Sequence, residues 1–296
     1  MSVGSCAQGN VRMDRNCIAC HASAHTLLYR KENCDIWRCE QCGLGSAVPA
    51  AEVDYEAIYG NGYFTGGGDG YADYAATESV VRAEFRKSLA VIKDLHPRAR
   101  TILEIGSAYG YFLDEARVAG MQCLGIEYSA EAAAWARARG HDVIQGAATQ
   151  ETIEPLGKFD VVVMFDTIEH LPNAAEVIAL CAARLNSGGL LMMTTGDFGS
   201  AYARASGSKW RLMTPPAHVY YFTRNSMEEM GARHGLRVES YAHPWKIVPV
   251  SLILYQLPVL FGFKTKFQGP ALASKIGLPV NLFDAMRIVF RKQYLI

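Results

Sequence analysis

The chain has no surplus of charge: its 296 residues carry 29 Lys and Arg against 29 Asp and Glu. Composition therefore gives no support to a chain-wide polyanion binder. No apolar run reaches the roughly twenty residues that span a bilayer. The opening, Met1–Asn10, is small and polar, not charged and then apolar. We therefore expect neither a membrane-spanning helix nor a secretory leader, and a cytoplasmic, reducing setting. Cysteine is scarce beyond residue 42, where only Cys123 and Cys181 occur against six before it. Eight in all are too few for a disulfide framework. Half the residues are hydrophobic and a tenth aromatic, so a sizeable core is available and wholesale disorder is excluded.

The early cysteines are patterned. Cys17-Ile-Ala-Cys20 and Cys39-Glu-Gln-Cys42 are two C-x2-C pairs with eighteen residues between them. Each pair lets two thiolates meet one ion at about 2.3 Å, and two pairs complete a tetrahedron. Residues 1–50 have too few large apolar groups to fold alone without such a staple. The expectation is a structural Zn²⁺ on Cys17, Cys20, Cys39 and Cys42, with Cys34, His21 and His25 nearby as substitute ligands. Four protein ligands leave no open position, so this metal is not expected to catalyse.

The middle of the chain alternates between two periods. Val80, Val81, Phe85, Leu89, Ile92 and Leu95 recur at helical spacing within 78–95, and Pro97 ends the pattern. Thr101–Ile105 reads as a strand carrying Glu104, followed by a turn with Gly106 and Gly110 and a helix start. Glycines there allow close backbone approach, and helix N-terminal amides favour an anion. Met121–Glu127 is a second strand ending in an acid, placed to accept both hydroxyls of a ribose. Further segments follow: a helix at 130–140, strands at 142–145 and 159–165, a helix at 174–186 and a strand at 188–195. A helix at 223–234, a strand at 236–241 and a last strand at 285–292 complete the series. The reading is α/β, a mostly parallel sheet covered on both faces, with ligands at its C-terminal edge.

Four segments now carry a resemblance: Leu103-Glu-Ile-Gly-Ser-Ala-Tyr-Gly110, Gly125-Ile-Glu127, Phe159-Asp-Val-Val-Val-Met-Phe-Asp-Thr-Ile-Glu-His-Leu-Pro172 and Gly188-Gly-Leu-Leu191. In this order and spacing they resemble the successive motifs of class I S-adenosylmethionine-dependent methyltransferases. A nicotinamide dehydrogenase is the rival, but the glycines run G-x-x-x-G, not G-x-G-x-x-G. The resemblance implies a Rossmann-like sheet of seven strands with the last one antiparallel, preceded here by the small N-terminal zinc-binding domain. The division expected is a zinc knuckle at 1–50, an aromatic and Gly-rich lid or linker at 51–75, and a core at 76–296 with an insertion at about 245–280.

It also implies S-adenosylmethionine as cofactor. Glu104 and Gly106 would lie near its methionine amino group, with Ser107, Ala108, Gly110, Tyr111 and Phe112 completing that turn. Glu127 would hold the ribose, Tyr128 would lie beside the adenine, and Gln145, Gly146 and Ala147 would edge it. Asp166 would face the sulfonium, and Tyr71 and Tyr74 would approach the cofactor from above. The sequence departs at Ala108, where many members have glycine, and at 145–147, where an acid is usual.

Two histidines are candidates for handling the acceptor's proton. His170, in Asp166-Thr-Ile-Glu169-His170, reads as a base, as part of a Mg²⁺ site with Asp166 and Glu169 resembling that of some quinone-pathway O-methyltransferases, or as a helix-capping residue. His218, in the long connection 196–222, reads as an acceptor contact or base, or as a packing histidine. Tyr55, Tyr59, Tyr63, Phe64, Tyr71 and Tyr74 surround Gly66–Gly70 and read as a lid or as a plain linker.

The balanced charge hides an asymmetry: residues 241–296 carry seven Lys and Arg against Asp284 alone. Within them Ile247–Phe263 is uncharged for seventeen residues, flanked by Lys246, Lys264 and Lys266. A dimerisation or acceptor-capping element is expected, with peripheral contact of 245–266 to an anionic inner membrane face as the other reading. A zinc knuckle before this core resembles bacterial enzymes of sugar, polysaccharide or antibiotic pathways, so the expected partner is a small hydroxylated acceptor, a sugar or related metabolite, methylated on oxygen. An RNA methyltransferase is the alternative. Residues 1–50 hold five Lys and Arg (Arg12, Arg15, Arg30, Lys31, Arg38) against four acids, too sparse a patch for phosphate contacts. A non-catalytic cofactor-binding scaffold is the third reading.

Overall fold

Among the described residues, strand pairing makes two sheets and one hairpin. The computed structural model describes residues 16–60, 63–66, 73–250, 254 and 276–294. Near the start, β1 (His25–Lys31), β2 (Cys34–Cys39) and β3 (Gly45–Pro49) form an antiparallel meander. A short helix, α1 (Tyr55–Tyr59), is capped by Asp54, whose Oδ1 accepts from Ala57 N at 3.0 Å. The main alternation follows: α2 (Glu78–Leu95), β4 (Thr101–Ile105), α3 (Tyr111–Val118), β5 (Gln122–Glu127), α4 (Ala130–Ala138), β6 (Val143–Gln145) and α5 (Gln150–Ile153). It continues through β7 (Phe159–Phe165), α6 (Ala174–Arg184), β8 (Leu185–Gly196), α7 (Ala201–Ser206), β9 (Tyr220–Tyr221), α8 (Arg224–Ala232) and β10 (Leu236–Ala242). A hairpin of β11 (Lys246–Pro249) and β12 (Gly277–Val280) precedes β13 (Ala285–Lys292).

Seven strands make the large sheet in the order β10-β13-β8-β7-β4-β5-β6, and β13 runs antiparallel to both neighbours. This is the expected fold class. The apolar runs explain why β7 and β8 are central: Val161–Met164 and Leu190–Met193 are wholly buried, as strands covered on both faces require. Their side chains alternate between two cores. Val162, Met164, Leu191 and Met193 pack with α6 and α8. Val161, Val163, Leu190 and Met192 pack with α2 and α3.

The sixth helix ends two residues earlier than the pattern suggests. Leu185 is drawn into the first core and Asn186 Nδ2 donates to Asp160 at 2.8 Å, which turns the chain into β8 ahead of the glycines.

The N-terminal meander is joined to the rest through β9. Gly45 pairs with Tyr221 and Ser46 with Tyr220. A Cβ on Gly45 would lie 2.9 Å from Tyr221 Cβ, so the close approach requires glycine. Cys17, Cys39 and Cys42 share an apolar cluster with Phe222, Met227 and Met230. The connection after β8 is anchored from the far end of the chain: Asp284 accepts from Trp210 Nε1 at 2.9 Å and from Nε and Nη2 of Arg211 at 3.0 and 2.9 Å.

Among the described residues no helix is long and apolar enough to cross a membrane. Of the expected apolar segment Ile247–Phe263, residues 251–253 and 255–263 lie outside the described residues, as do Tyr71, Lys264 and Lys266.

Candidate functional site

The sheet reverses direction of growth between β4 and β7, and there the C-terminal strand ends open a crevice. After β4 the chain turns through Gly106 and Gly110, both at φ 77°, and through Ala108 at φ 47°. A Cβ on Gly106 would lie 2.6 Å from Thr167 Oγ1, so only glycine fits where this turn meets the one after β7. The small Ala108 adopts the left-handed turn that the missing glycine would have made.

Two carboxylates border this turn. Glu127 Oε2 accepts from Ala108 N at 2.7 Å and Oε1 from Ser129 N at 2.8 Å, tying the ends of β4 and β5 together. Glu104 is buried, and its Oε2 has no partner among the described residues. Burial, reinforced by the charge of Glu127, holds the Glu104 carboxyl well above the ordinary range. Such a group is a receptor for a cationic or N–H-bearing ligand.

The crevice is a cavity of about 400 Å³, of small-molecule size. Its floor is Glu104, Gly106, Ser107, Ala108, Glu127 and Tyr128, with Gly146 and Ala147 at one end and Asp166 and His170 at the other. Tyr55, Tyr59, Tyr63, Phe64 and Tyr74 close it from the N-terminal segment. Four residues expected here stand outside this wall. Gly110 faces His141, and Phe112 is packed between Phe85 and Phe165. Tyr111 stacks under Tyr74 at 5.3 Å. Gln145 is exposed, its amide donating to Tyr128 O at 3.2 Å.

His170 is held on its Nδ1 side by Tyr59 Oη at 2.7 Å and Ala217 O at 3.0 Å. Burial pushes its pKa below the usual histidine value, so the ring is neutral at neutral pH. His218 lies behind it, ring centroids 4.6 Å apart, and its Nδ1 contacts Leu212 O at 2.8 Å. It does not reach the cavity wall, and burial beside His170 lowers it to about 3. Of the two histidines, the structure puts His170 in the cavity and His218 in its support.

The expected Mg²⁺ trio does not assemble. Asp166 turns instead to Lys246 Nζ, at 2.7 and 3.1 Å, and accepts from Thr194 Oγ1 at 2.9 Å. An ammonium occupies the carboxylate that the ion would need. The donors that do converge, within 4.8 Å of one another, are Glu169, His170 and His218. Lys246 at the site was not foreseen; its only signal was a cation at the edge of the apolar insertion.

A family model described as a methyltransferase domain matches residues 78–241. The chain belongs to the methyltransferase-domain family. A probable S-adenosylmethionine-dependent methyltransferase of Mycobacterium tuberculosis is 37% identical over 114 residues, 38% of this chain and 42% of that one. A ubiquinone biosynthesis O-methyltransferase of a Bradyrhizobium species is 31% identical over 98 residues, 32% of this chain and 39% of that one. The chain thus spans less than half the length of these curated relatives. An S-adenosylmethionine-dependent methyltransferase from Archaeoglobus fulgidus has the same fold, with a TM-score of 0.50 at 16% identity over 73% of this chain and 94% of that one.

Ahead of the methyltransferase domain, the four cysteine sulfurs converge. Cys17 and Cys42 Sγ are 3.5 Å apart, as are Cys20 and Cys39, and all four lie within 4.8 Å of one another. That spacing fits four ligands around one tetrahedral ion. Hydrogen bonding from Cys42 pulls the Cys17 thiol down to about 4 and pushes Cys42 up. The substitute ligands are elsewhere: Cys34 packs with Trp210 and Tyr221, His21 accepts from Arg233 at 2.7 Å, and His25 contacts Ser23 O.

Proposed function

We propose that this methyltransferase domain moves the methyl group of S-adenosylmethionine to the hydroxyl of a small acceptor, a sugar or related metabolite. One observation carries the reading: a neutral histidine, His170, stands in the wall of the same cavity as Glu104 and Glu127. When bound, S-adenosylmethionine supplies an electrophilic methyl on a sulfonium.

The residues present suit it. Glu104, buried with an unpartnered oxygen, would take the methionine ammonium. Glu127 would take the ribose hydroxyls, Tyr128 with Gly146 and Ala147 would border the adenine, and Asp166 would face the sulfonium end. Tyr74 and its neighbours would exclude water and keep the reacting groups aligned. His170 would accept the proton as the acceptor oxygen attacks. Its relative named for O-methylation supports an oxygen acceptor.

A structural Zn²⁺ on Cys17, Cys20, Cys39 and Cys42 belongs to the same proposal. So does a capping role for the 245–280 insertion, since Lys246 leads into it from Asp166. Incubation with methyl-labelled S-adenosylmethionine and a panel of sugars and hydroxylated metabolites should yield a labelled methyl ether, and His170→Ala should abolish it. Label appearing only on nitrogen or carbon, or full turnover by that variant, would overturn the reading.

A further inference from the structure

Three polar atoms meet at the edge of the cavity: Tyr59 Oη, His170 Nδ1 and the carbonyl of Ala217. Tyr59 Oη donates to Ala217 O at 2.6 Å. His170 Nδ1 lies 2.7 Å from Tyr59 Oη and 3.0 Å from Ala217 O. The carbonyl has no proton to offer, so only one assignment satisfies the triangle. The Tyr59 hydroxyl proton goes to Ala217 O, and Nδ1 carries a proton directed at Tyr59 Oη and Ala217 O. With a bare Nδ1, its lone pair would face the carbonyl at 3.0 Å. The ring therefore presents Nε2 without a proton, the form that can accept one.

We propose that Tyr59 is a positioning residue that holds His170 in this tautomer and orientation. The device comes from outside the family-matched segment, which begins at residue 78. Tyr59 ends α1 and is steadied there on both sides. Its ring stacks with Tyr55, the planes 4° apart, and meets Tyr63 edge-on at 5.3 Å. It also meets the His170 ring nearly at right angles, with centroids 5.4 Å apart. His218 also packs edge-on against the His170 ring, itself tied to Leu212 O. His170 is thus fixed between an aromatic from the N-terminal segment and one from the connection before β9. A methyltransferase domain cut at its family boundary would keep His170 and lose the hydroxyl that orients it.

The proposal rests on His170 being the base, and its test separates the two ideas. In the full-length protein with ¹⁵N-labelled histidine, long-range proton–nitrogen NMR reads the His170 tautomer without any acceptor present. The wild type should show Nδ1–H. Tyr59→Phe keeps the ring and removes the oxygen; the tautomer ratio should move about fivefold toward Nε2–H, the size of one hydrogen bond. Its melting temperature should stay within about 5 °C of wild type. An Nε2–H wild type, or a ratio unmoved in a folded Tyr59→Phe, overturns the proposal. If the variant misfolds, the wild-type spectrum alone decides the tautomer. A Tyr59→Phe shift alongside full turnover by His170→Ala would sink the base assignment and leave the positioning intact.

Discussion

Lys246 Nζ lies 2.7 Å from Asp166 Oδ2 and 3.1 Å from Oδ1, so a cation from β11 closes on the carboxylate that follows β7. Burial acts to raise Asp166, and the Lys246 ammonium, with the Thr194 hydroxyl and the charge of Arg211, more than offsets it, holding the carboxyl below its ordinary value. Both side chains are partly exposed, 31% and 46%, so solvent screens the pair. Its contribution to stability should be below about 1 kcal/mol. Lys246→Met should therefore shift the melting temperature by no more than about 4 °C. A larger drop in a thermal melt would show that the pair anchors the β11–β12 hairpin.

Glu104 predicts a proton linked to cofactor binding. Burial and the charge of Glu127 favour the protonated carboxyl in the free protein, and a bound ammonium would favour the ionised form. Binding should release a proton, and affinity for S-adenosylmethionine should rise with pH. Calorimetry in buffers of different ionisation enthalpy reads the release directly. Glu104→Gln should abolish it and weaken binding about tenfold or more. Identical heats in every buffer would remove Glu104 from the ammonium site.

Glu169 predicts an alkaline loss of stability. Burial, with the charge of Asp166 adding, raises its carboxyl to about 8 in the folded chain, against 4.5 as a free group. The folded state binds the extra proton, so this contribution is full below 4.5 and disappears as pH rises through 8. His218 has the opposite sign: lowered to about 3, it favours the unfolded chain as pH falls below 6.5. These two groups offset each other between about 4.5 and 6.5, where stability should be highest, and only the Glu169 loss remains from 6.5 to 8. Glu169→Gln should flatten the decline between pH 6.5 and 8 in thermal melts, and an unchanged slope would refute the assignment.

Metal removal should reach beyond the knuckle. Zinc analysis should give one ion per chain, and Cys39→Ser should lose it. Because β3 pairs with β9 and Cys42 O accepts from Thr223 Oγ1 at 2.9 Å, the damage should spread into the methyltransferase domain. A fall in melting temperature of about 10 °C or more is expected on chelation. A metal-free chain that melts like wild type would end the zinc proposal.

Local pattern made much of this legible. β7 was readable because a strand buried on both faces must be apolar throughout, and Phe159–Phe165 nearly is. The turn around Gly106 was readable because its contact with Thr167 leaves no room for a Cβ. The end of α6 was misplaced because Leu185 and Asn186 answer to partners in other elements, not to helix propensity.

The sequence implied the seven-stranded class of sheet through a family resemblance, and by itself it determined the alternation of helices and strands, the paired cysteines and the carboxylates that end or border its strands. Each is written in spacing within a few residues. Only the tertiary structure decided which histidine faces the cavity, that Lys246 meets Asp166 across 80 residues, and that Tyr59 meets His170 across 111. Those contacts depend on how α1, the hairpin and the connection before β9 fold back over the strand ends, and no local period records that.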